Sequence, residues 1–351
     1  MEIYKKSKPI LTVAIPTYNR PWSLKKILDQ LHKEKNQTFQ IVVSDDSSVD
    51  DIASVVKKYQ GSMNNLDYYR NESDHGYSSN ILRLYELAKT PYIWFLSDDD
   101  QVLPGAIDKI LEALNKYKPV VALFNHINID PYERKLIDGV PKDILYNNSK
   151  QLIDYTPFMR TCFLSILVVE KRLSLDLVRK IHDENNIFTQ LSLSILLLSD
   201  KFKLCEIATP IVFRTSNFES GEFFKFFFTD MLDAVFIIKH KFDNDKFIKW
   251  GKKEILNAFQ LYLSQKIGLF KCNGSPRIDT IKKIIQYYGV YSSVILLFPI
   301  LYYLAPASLL KFFYRFKLSR IYSDKRTRSI YNKNLNRVMK TKSTSGFSLY
   351  R

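Results

Sequence analysis

Cysteine is scarce in this chain: Cys162, Cys205 and Cys272 are the only three in 351 residues, far apart and without a CxxC pair. That spacing argues against a disulfide framework and against a zinc site built on thiolates, and it suits a reducing cytosol. Glycine is sparse too, ten residues in all, and neither GxGxxG nor GxxxxGK occurs. The Gly-rich phosphate cradles of dinucleotide oxidoreductases and P-loop NTPases are therefore missing. The five histidines, His32, His75, His126, His182 and His240, show no ligand spacing. The opening MEIYKKSKPILTVAIP lacks a long apolar core and a cleavage site, so no signal peptide is read there and a cytoplasmic start is expected. There is no internal repeat and no low-complexity tract.

Acidic residues are nearly absent from one end. Of the net charge of +16, twelve Lys and Arg against Asp324 alone put +11 in the last 51 residues, leaving +5 for the other 300. A tail of that kind is drawn to polyanions, and both nucleic acid and anionic lipid qualify. Just before it, 27 residues from Ile284 to Leu310 carry no charge. That length could cross a bilayer. Gly289, Pro299 and Pro306 interrupt it, however, and its tyrosines suit an interface, so a broken interfacial helix pair or partly inserted hairpin is expected. An apolar core helix pair with a solvated tail is the plainer alternative.

What is abundant in the first third is alternation. Apolar strand-like runs at Leu11–Ile15, Ile41–Val43, Leu66–Tyr69, Tyr92–Leu96 and Val120–Phe124 alternate with helical patterns at Trp22–Leu31, from Ser48 as N-cap to about Tyr59, at Ile81–Ala88, and from Pro104 to about Tyr117. Further on, strands are expected at Leu164–Val169 and Ile211–Arg214 and a helix at Leu191–Leu198. Such alternation predicts an α/β fold with a mainly parallel sheet flanked by helices, in which ligands bind beyond the carboxyl ends of the strands. Three polar clusters, PTYNR, SDDSS and SDDD, each follow a strand.

Three consecutive carboxylates, Asp98, Asp99 and Asp100, repel one another and make sense if a cation compensates them; hard oxygen donors point to magnesium or manganese. On this cluster alone, a solvated acidic turn or helix cap is an equal reading. Asp45 and Asp46 could accept hydrogen bonds from a nucleobase or ribose, or simply form a turn leading into the Ser48 cap. In PTYNR, Arg20 reads as a surface residue.

Taken in order, VAIPTYNR, IVVSDDSS, NESDHGYSSN and YIWFLSDDD resemble the family 2 glycosyltransferases with the GT-A fold, most like the abequosyltransferases and other O-antigen or capsule sugar transferases. The likeness covers Leu11 to about Leu114 and thins by Arg214. It implies that Pro16, Thr17, Tyr18, Asp45, Asp46, Asn80 and Asp98 hold the nucleotide-sugar, and that Asp99 binds Mn2+ or Mg2+ with Asp100 behind it. Ser97 replaces the first acid of the common D-x-D-D pattern. Where family members often carry Glu-Asp, this chain has Thr189 and Gln190, so the nearest acids, Asp183 and Glu184, are the candidates for catalytic base, with a solvated turn as the other reading.

The expected organisation is a GT-A catalytic domain at 1–215, a helical extension at 216–283, and a membrane-associated apolar segment with basic tail at 284–351. The expected activity is transfer of a sugar from a nucleotide diphosphate sugar to a saccharide acceptor, polyprenyl-linked, in cell-surface polysaccharide synthesis. The enzyme would sit at the inner face of the cell membrane, on anionic lipid and without nucleic acid. A basic nucleic-acid-binding protein and a noncatalytic scaffold on the same fold are the alternatives; the first leaves the acidic loops without purpose.

Overall fold

A computed structural model describes residues 8–129, 135–151, 160–181 and 188–214. All belong to the first of two compact units, Met1–Phe218 with Asp230–Trp250; the second is Glu219–Thr229 with Gly251–Arg351.

The chain opens with β1 (Leu11–Thr17), α1 (Pro21–His32), β2 (Gln40–Asp45), α2 (Ile52–Gln60), β3 (Leu66–Arg70), α3 (Gly76–Leu87) and β4 (Tyr92–Phe95). Every residue of β1 is buried, as a strand paired on both sides and covered on both faces requires. Helix α1 buries Leu24, Ile27, Leu28 and Leu31, one face at helical spacing, with Pro21 in its first turn. Helix α3 packs on β1 and β2.

There follow β5 (Gln101–Val102), α4 (Ala106–Tyr117), β6 (Val121–Ile129), β7 (Lys135–Asp138), β8 (Ile144–Tyr146), β9 (Leu167–Glu170), α5 (Leu175–Arg179), α6 (Thr189–Asp200) and β10 (Leu204–Phe213). Gly105 caps α4 at φ +74 and supplies no side chain. Glu34, buried at the end of α1, serves instead: its carboxylate accepts from the Gly105 amide at 2.9 Å, and the amide of Ile107 lies 3.4 Å from its second oxygen.

One ten-stranded sheet results, in the order β3-β2-β1-β4-β9-β6-β10-β5, with β7 on β6 and β8 on β10. It is mixed rather than mainly parallel. The pairs β3-β2, β2-β1, β1-β4 and β6-β10 are parallel. Strand β9 runs antiparallel between β4 and β6, and β5, β7 and β8 are antiparallel additions. Sequence periodicity misses the additions because β7 is exposed throughout and β5 is two residues long. Two further expectations need correction. Asp51, not Ser48, caps α2, accepting from the Ser54 amide at 2.9 Å. The strand expected at Ile211–Arg214 is the end of a longer one, β10, whose register against β6 shifts on either side of Pro210.

Beyond β4 a buried polar knot joins β6 to β10. Asn125 donates to the carbonyls of Val140 and Ala208 and accepts from the Val140 amide, while Arg160 pairs with Glu206 at 2.5 Å. Gly139, at φ +137, passes so close to Asn125 that a Cβ there would sit 1.7 Å from its Oδ1. Among the described residues no helix is long and apolar enough to cross a membrane. The sequence expectations for 216–283 and 284–351 lie outside the described residues.

Candidate functional site

Parallel strands β2, β1 and β4 end side by side, so the loops that follow them meet. In the β1-β4 ladder Ala14 pairs with Phe95, and continuing both strands equally brings Thr17 level with Asp98. The Thr17 hydroxyl donates to Asp98 Oδ2 at 2.7 Å. Across the β1-β2 ladder Thr17 pairs with Asp45, and the Asp46 amide donates to the Thr17 carbonyl at 3.1 Å. The PTYNR and SDDSS loops are stitched by Asn19, which adopts φ +54: its side chain accepts from the amides of Val49 and Asp50, and its own amide donates to the Ser48 hydroxyl.

Between these loops and the start of α3 lies a cleft of about 320 Å³ lined by Pro16, Thr17, Tyr18, Arg20, Asp46, Asp74, Gly76, Tyr77, Asn80, Ser97 and Asp98. Six of the seven residues expected to hold the nucleotide-sugar are therefore together: Pro16, Thr17, Tyr18, Asp46, Asn80 and Asp98. The seventh, Asp45, is buried beneath, accepting from the Ser48 amide at 2.9 Å and the Tyr68 hydroxyl at 2.7 Å. Asp46 braces the cleft wall, accepting from Asn71 Nδ2 at 2.7 Å and the His75 amide at 3.1 Å. Asn80 donates to the Ser44 carbonyl at 3.1 Å, and its buried Oδ1 has no hydrogen-bond partner among the described residues.

The three consecutive aspartates point to different fates. Asp98 is 3% exposed, and burial pushes its carboxyl up to about 6 although the Thr17 hydroxyl and the Arg20 guanidinium both pull it down. Asp99 stays partly exposed and accepts from the Ser97 hydroxyl at 2.6 Å. Asp100 is buried and accepts from Ser165 at 2.6 Å; the same Ser165 oxygen accepts the Ser97 amide at 3.0 Å, which fixes the turn. Arg20 is no bystander. Its Nη1 lies 3.1 Å from Asp98 Oδ1 and 3.2 Å from Asp99 Oδ2, one nitrogen serving two carboxylates. Sequence reasoning also passed over Tyr77, Gly76, Asp74 and Ser97 as cleft residues; the position of Gly76 at the N-terminus of α3 was the available signal.

Thr189 and Gln190 begin α6 and dock on α3. The Ser78 and Thr189 hydroxyls are 2.6 Å apart, the Tyr77 hydroxyl reaches Gln190 Oε1 at 3.4 Å, and Gln190 Nε2 donates to the Cys162 carbonyl. Neither residue can accept a proton as a carboxylate would. Asp183 and Glu184 lie outside the described residues. A larger groove of about 540 Å³ shares the 74–76 turn with the cleft but none of the strand-end carboxylates, and its Arg83 and Arg179 are both paired with Glu86.

Fold and site together define an α/β protein with a cleft at the carboxyl ends of parallel strands, carrying acidic and hydroxyl side chains among apolar surface. Comparison with known proteins narrows this. Residues 12–168 match the family model described as Glycosyl transferase family 2. Of Campylobacter jejuni, the GalNAc(5)-diNAcBac-PP-undecaprenol beta-1,3-glucosyltransferase is 32% identical over 109 residues, 31% of this chain and 35% of that one. The teichoic acid poly(glycerol phosphate) polymerase of Staphylococcus epidermidis is 28% identical over 116 residues, covering 32% and 16%. Among solved structures, S. aureus TarS 1-349 superposes with a TM-score of 0.57 at 15% identity, over 79% of this chain and 78% of that one. The same protein in complex with UDP-GlcNAc gives 0.53 at 15% identity and covers 79% of both chains. The structural likeness establishes a GT-A-like fold. The family 2 glycosyltransferase model thus matches the strand-end half of this structure, and the chain spans about a third of the length of the curated relatives it matches first.

Proposed function

We propose that the protein transfers a sugar from a nucleotide diphosphate donor to a saccharide acceptor of a cell-surface polysaccharide. The observation that carries the reading is the convergence of Thr17, Asp46, Asn80 and Asp98 on one cleft at the strand ends. The nucleoside lies against Pro16–Tyr18 and Asp46, with Asp45 holding the loop from below. The diphosphate faces the start of α3, where Gly76 and Tyr77 line the cleft and the helix dipole favours an anion; the His75 and Gly76 amides are already held by Asp46 and Asp74, so the dipole and the amides further into the first turn supply the attraction.

A divalent ion, Mn2+ or Mg2+, fits the carboxylates present. Asp98 and Asp99 already direct one oxygen each at a single cationic nitrogen, and two carboxylates plus substrate phosphates are what such an ion takes in phosphate chemistry. Among the described residues no group of three or more His, Cys, Asp or Glu side chains could hold a metal, so the donor itself would complete the ion's surroundings. When bound, the ion neutralises charge on the departing nucleoside diphosphate. Thr17 keeps Asp98 oriented and Ser97 keeps Asp99 oriented for that task.

An acceptor hydroxyl attacks the anomeric carbon, and its proton goes to Asp183 or Glu184 in this reading, since Thr189 and Gln190 are not bases. Relatives support the acceptor class: the matched Campylobacter enzyme acts on an undecaprenol-linked saccharide by name, and the Staphylococcus one on teichoic acid. Residues 284–351, uncharged and then strongly basic, would bring the domain, with a helical extension at 216–283, to the inner face of the membrane. Incubating the full chain with nucleotide-sugars, Mn2+ and polyprenyl-diphosphate saccharides, and weighing the products by mass spectrometry, tests the assignment. One added sugar residue supports it; no transfer and no donor hydrolysis with any nucleotide-sugar contradicts it.

A further inference from the structure

Three adjacent carboxylates need compensation, and the fold supplies part of it internally. Asp100 turns inward to Ser165, which leaves Asp98 and Asp99 at the cleft. Their oxygens converge on Arg20 Nη1 at 3.1 and 3.2 Å. The backbone of Arg20 is held, because its carbonyl accepts the Leu24 amide at 3.0 Å at the entry to α1. The side chain is a different matter: it is 52% exposed against 4% for that of Asp98, and among the described residues its ion pairs are to these two acids. A fixed Cα with a long, half-solvated arm can release its head group without disturbing the helix.

We propose that Arg20 is a displaceable counter-ion, holding the point between Asp98 and Asp99 when no donor is bound and yielding it to a divalent metal that arrives with the diphosphate. The inference rests on the donor-site reading above. A guanidinium and a metal ion cannot share the same two carboxylate oxygens, so metal binding without nucleotide is suppressed in the wild-type chain. Once released, the fork of Arg20 donors lies at the edge of the same cleft and matches phosphate oxygens. Arg20 thus couples metal to donor: the ion alone must strip the carboxylates of a partner, whereas ion and diphosphate together give that partner a new one.

The test is a titration of the full chain with Mn2+ alone, reading free ion by electron paramagnetic resonance, with no nucleotide and no turnover involved. Arg20→Gln should bind Mn2+ at least about tenfold more tightly than wild type, since a positive charge within a few ångströms of the ion has been removed. Arg20→Lys, which keeps a charge, should stay nearer wild type, and Asp98→Asn in the Arg20→Gln background should abolish the gain. Circular dichroism of each variant verifies the fold. If wild type binds Mn2+ as tightly as Arg20→Gln does, the counter-ion role is wrong while the metal site stands. If neither binds Mn2+, alone or with UDP present, the metal reading falls and this inference with it.

Discussion

Thr17 and Asp98 stand 81 positions apart in sequence and 2.7 Å apart in space, at matching positions beyond the last rung of the β1-β4 ladder. The bond is buried, and it gives one oxygen of a desolvated carboxylate a neutral donor while Arg20 serves the other. The orientation of Asp98 is therefore a product of strand register.

Replacing Thr17 with Val keeps the β-branched shape and removes the donor. Loss of a hydrogen bond to a buried charged acceptor should cost about 1–3 kcal/mol in chemical denaturation, with a parallel fall in nucleotide affinity. Stability and affinity both unchanged would mean that the bond does not organise the site.

Asp45 and Asp46 are neighbours with separable roles. Asp45 answers the Ser48 amide and the Tyr68 hydroxyl from below the cleft, so Asp45→Asn and Tyr68→Phe should lower the melting temperature in step. Asp46 faces the cleft and ties down Asn71 and the His75 amide, so Asp46→Asn should weaken nucleotide binding several-fold more than it affects melting. The opposite pattern in paired calorimetric and thermal measurements would reverse the two assignments.

His126 offers a pH test away from the cleft. Burial lowers its imidazole from the ordinary 6.5 to about 4, opposed by Asp138 and assisted by Arg214 and Arg160. The unfolded chain therefore takes up a proton that the folded chain refuses, and stability present above about pH 6.5 is lost as the pH falls toward 4. Between about pH 7.5 and 5 this single group should remove about 2 kcal/mol. His126→Phe, which keeps a ring against Phe163, should flatten that slope. Equal slopes in urea titrations of both proteins would show that His126 is not the responsible group.

Much of the strand-end half was legible in the sequence because β1, β2 and β4 are almost wholly buried and read as apolar runs. Leu11–Ile15 and Tyr92–Leu96 were placed to within two residues, and the acids after them could then be assigned to one edge. The other half was less so. An exposed strand such as β7 leaves no apolar pattern, and antiparallel β9 reads like any other short run. Arg20 was set aside because a lone Arg after a turn looks solvated; only the register that lifts Asp98 beside it reveals two carboxylates within reach.

The basic end of the chain supports a prediction from charge alone. With +11 in the last 51 residues and about 1 kcal/mol per basic residue near an anionic surface, full-length protein should float with anionic liposomes and release as salt rises. Floating equally with neutral liposomes at high salt would assign the attachment to the uncharged 284–310 segment instead. Tight RNA or DNA binding at physiological salt without liposome binding would contradict the membrane reading.

The central claim is that the strand-end cleft binds a nucleoside diphosphate through a metal held at Asp98 and Asp99. Calorimetric titration of UDP, GDP, CDP and TDP into the full chain, with and without Mn2+, tests it most directly, repeated with Asp99→Asn. The account predicts one saturable site for at least one nucleotide with Mn2+, much weaker without it, and lost in Asp99→Asn while the fold persists by circular dichroism. Unchanged nucleotide affinity in Asp99→Asn, or binding indifferent to Mn2+, would contradict it.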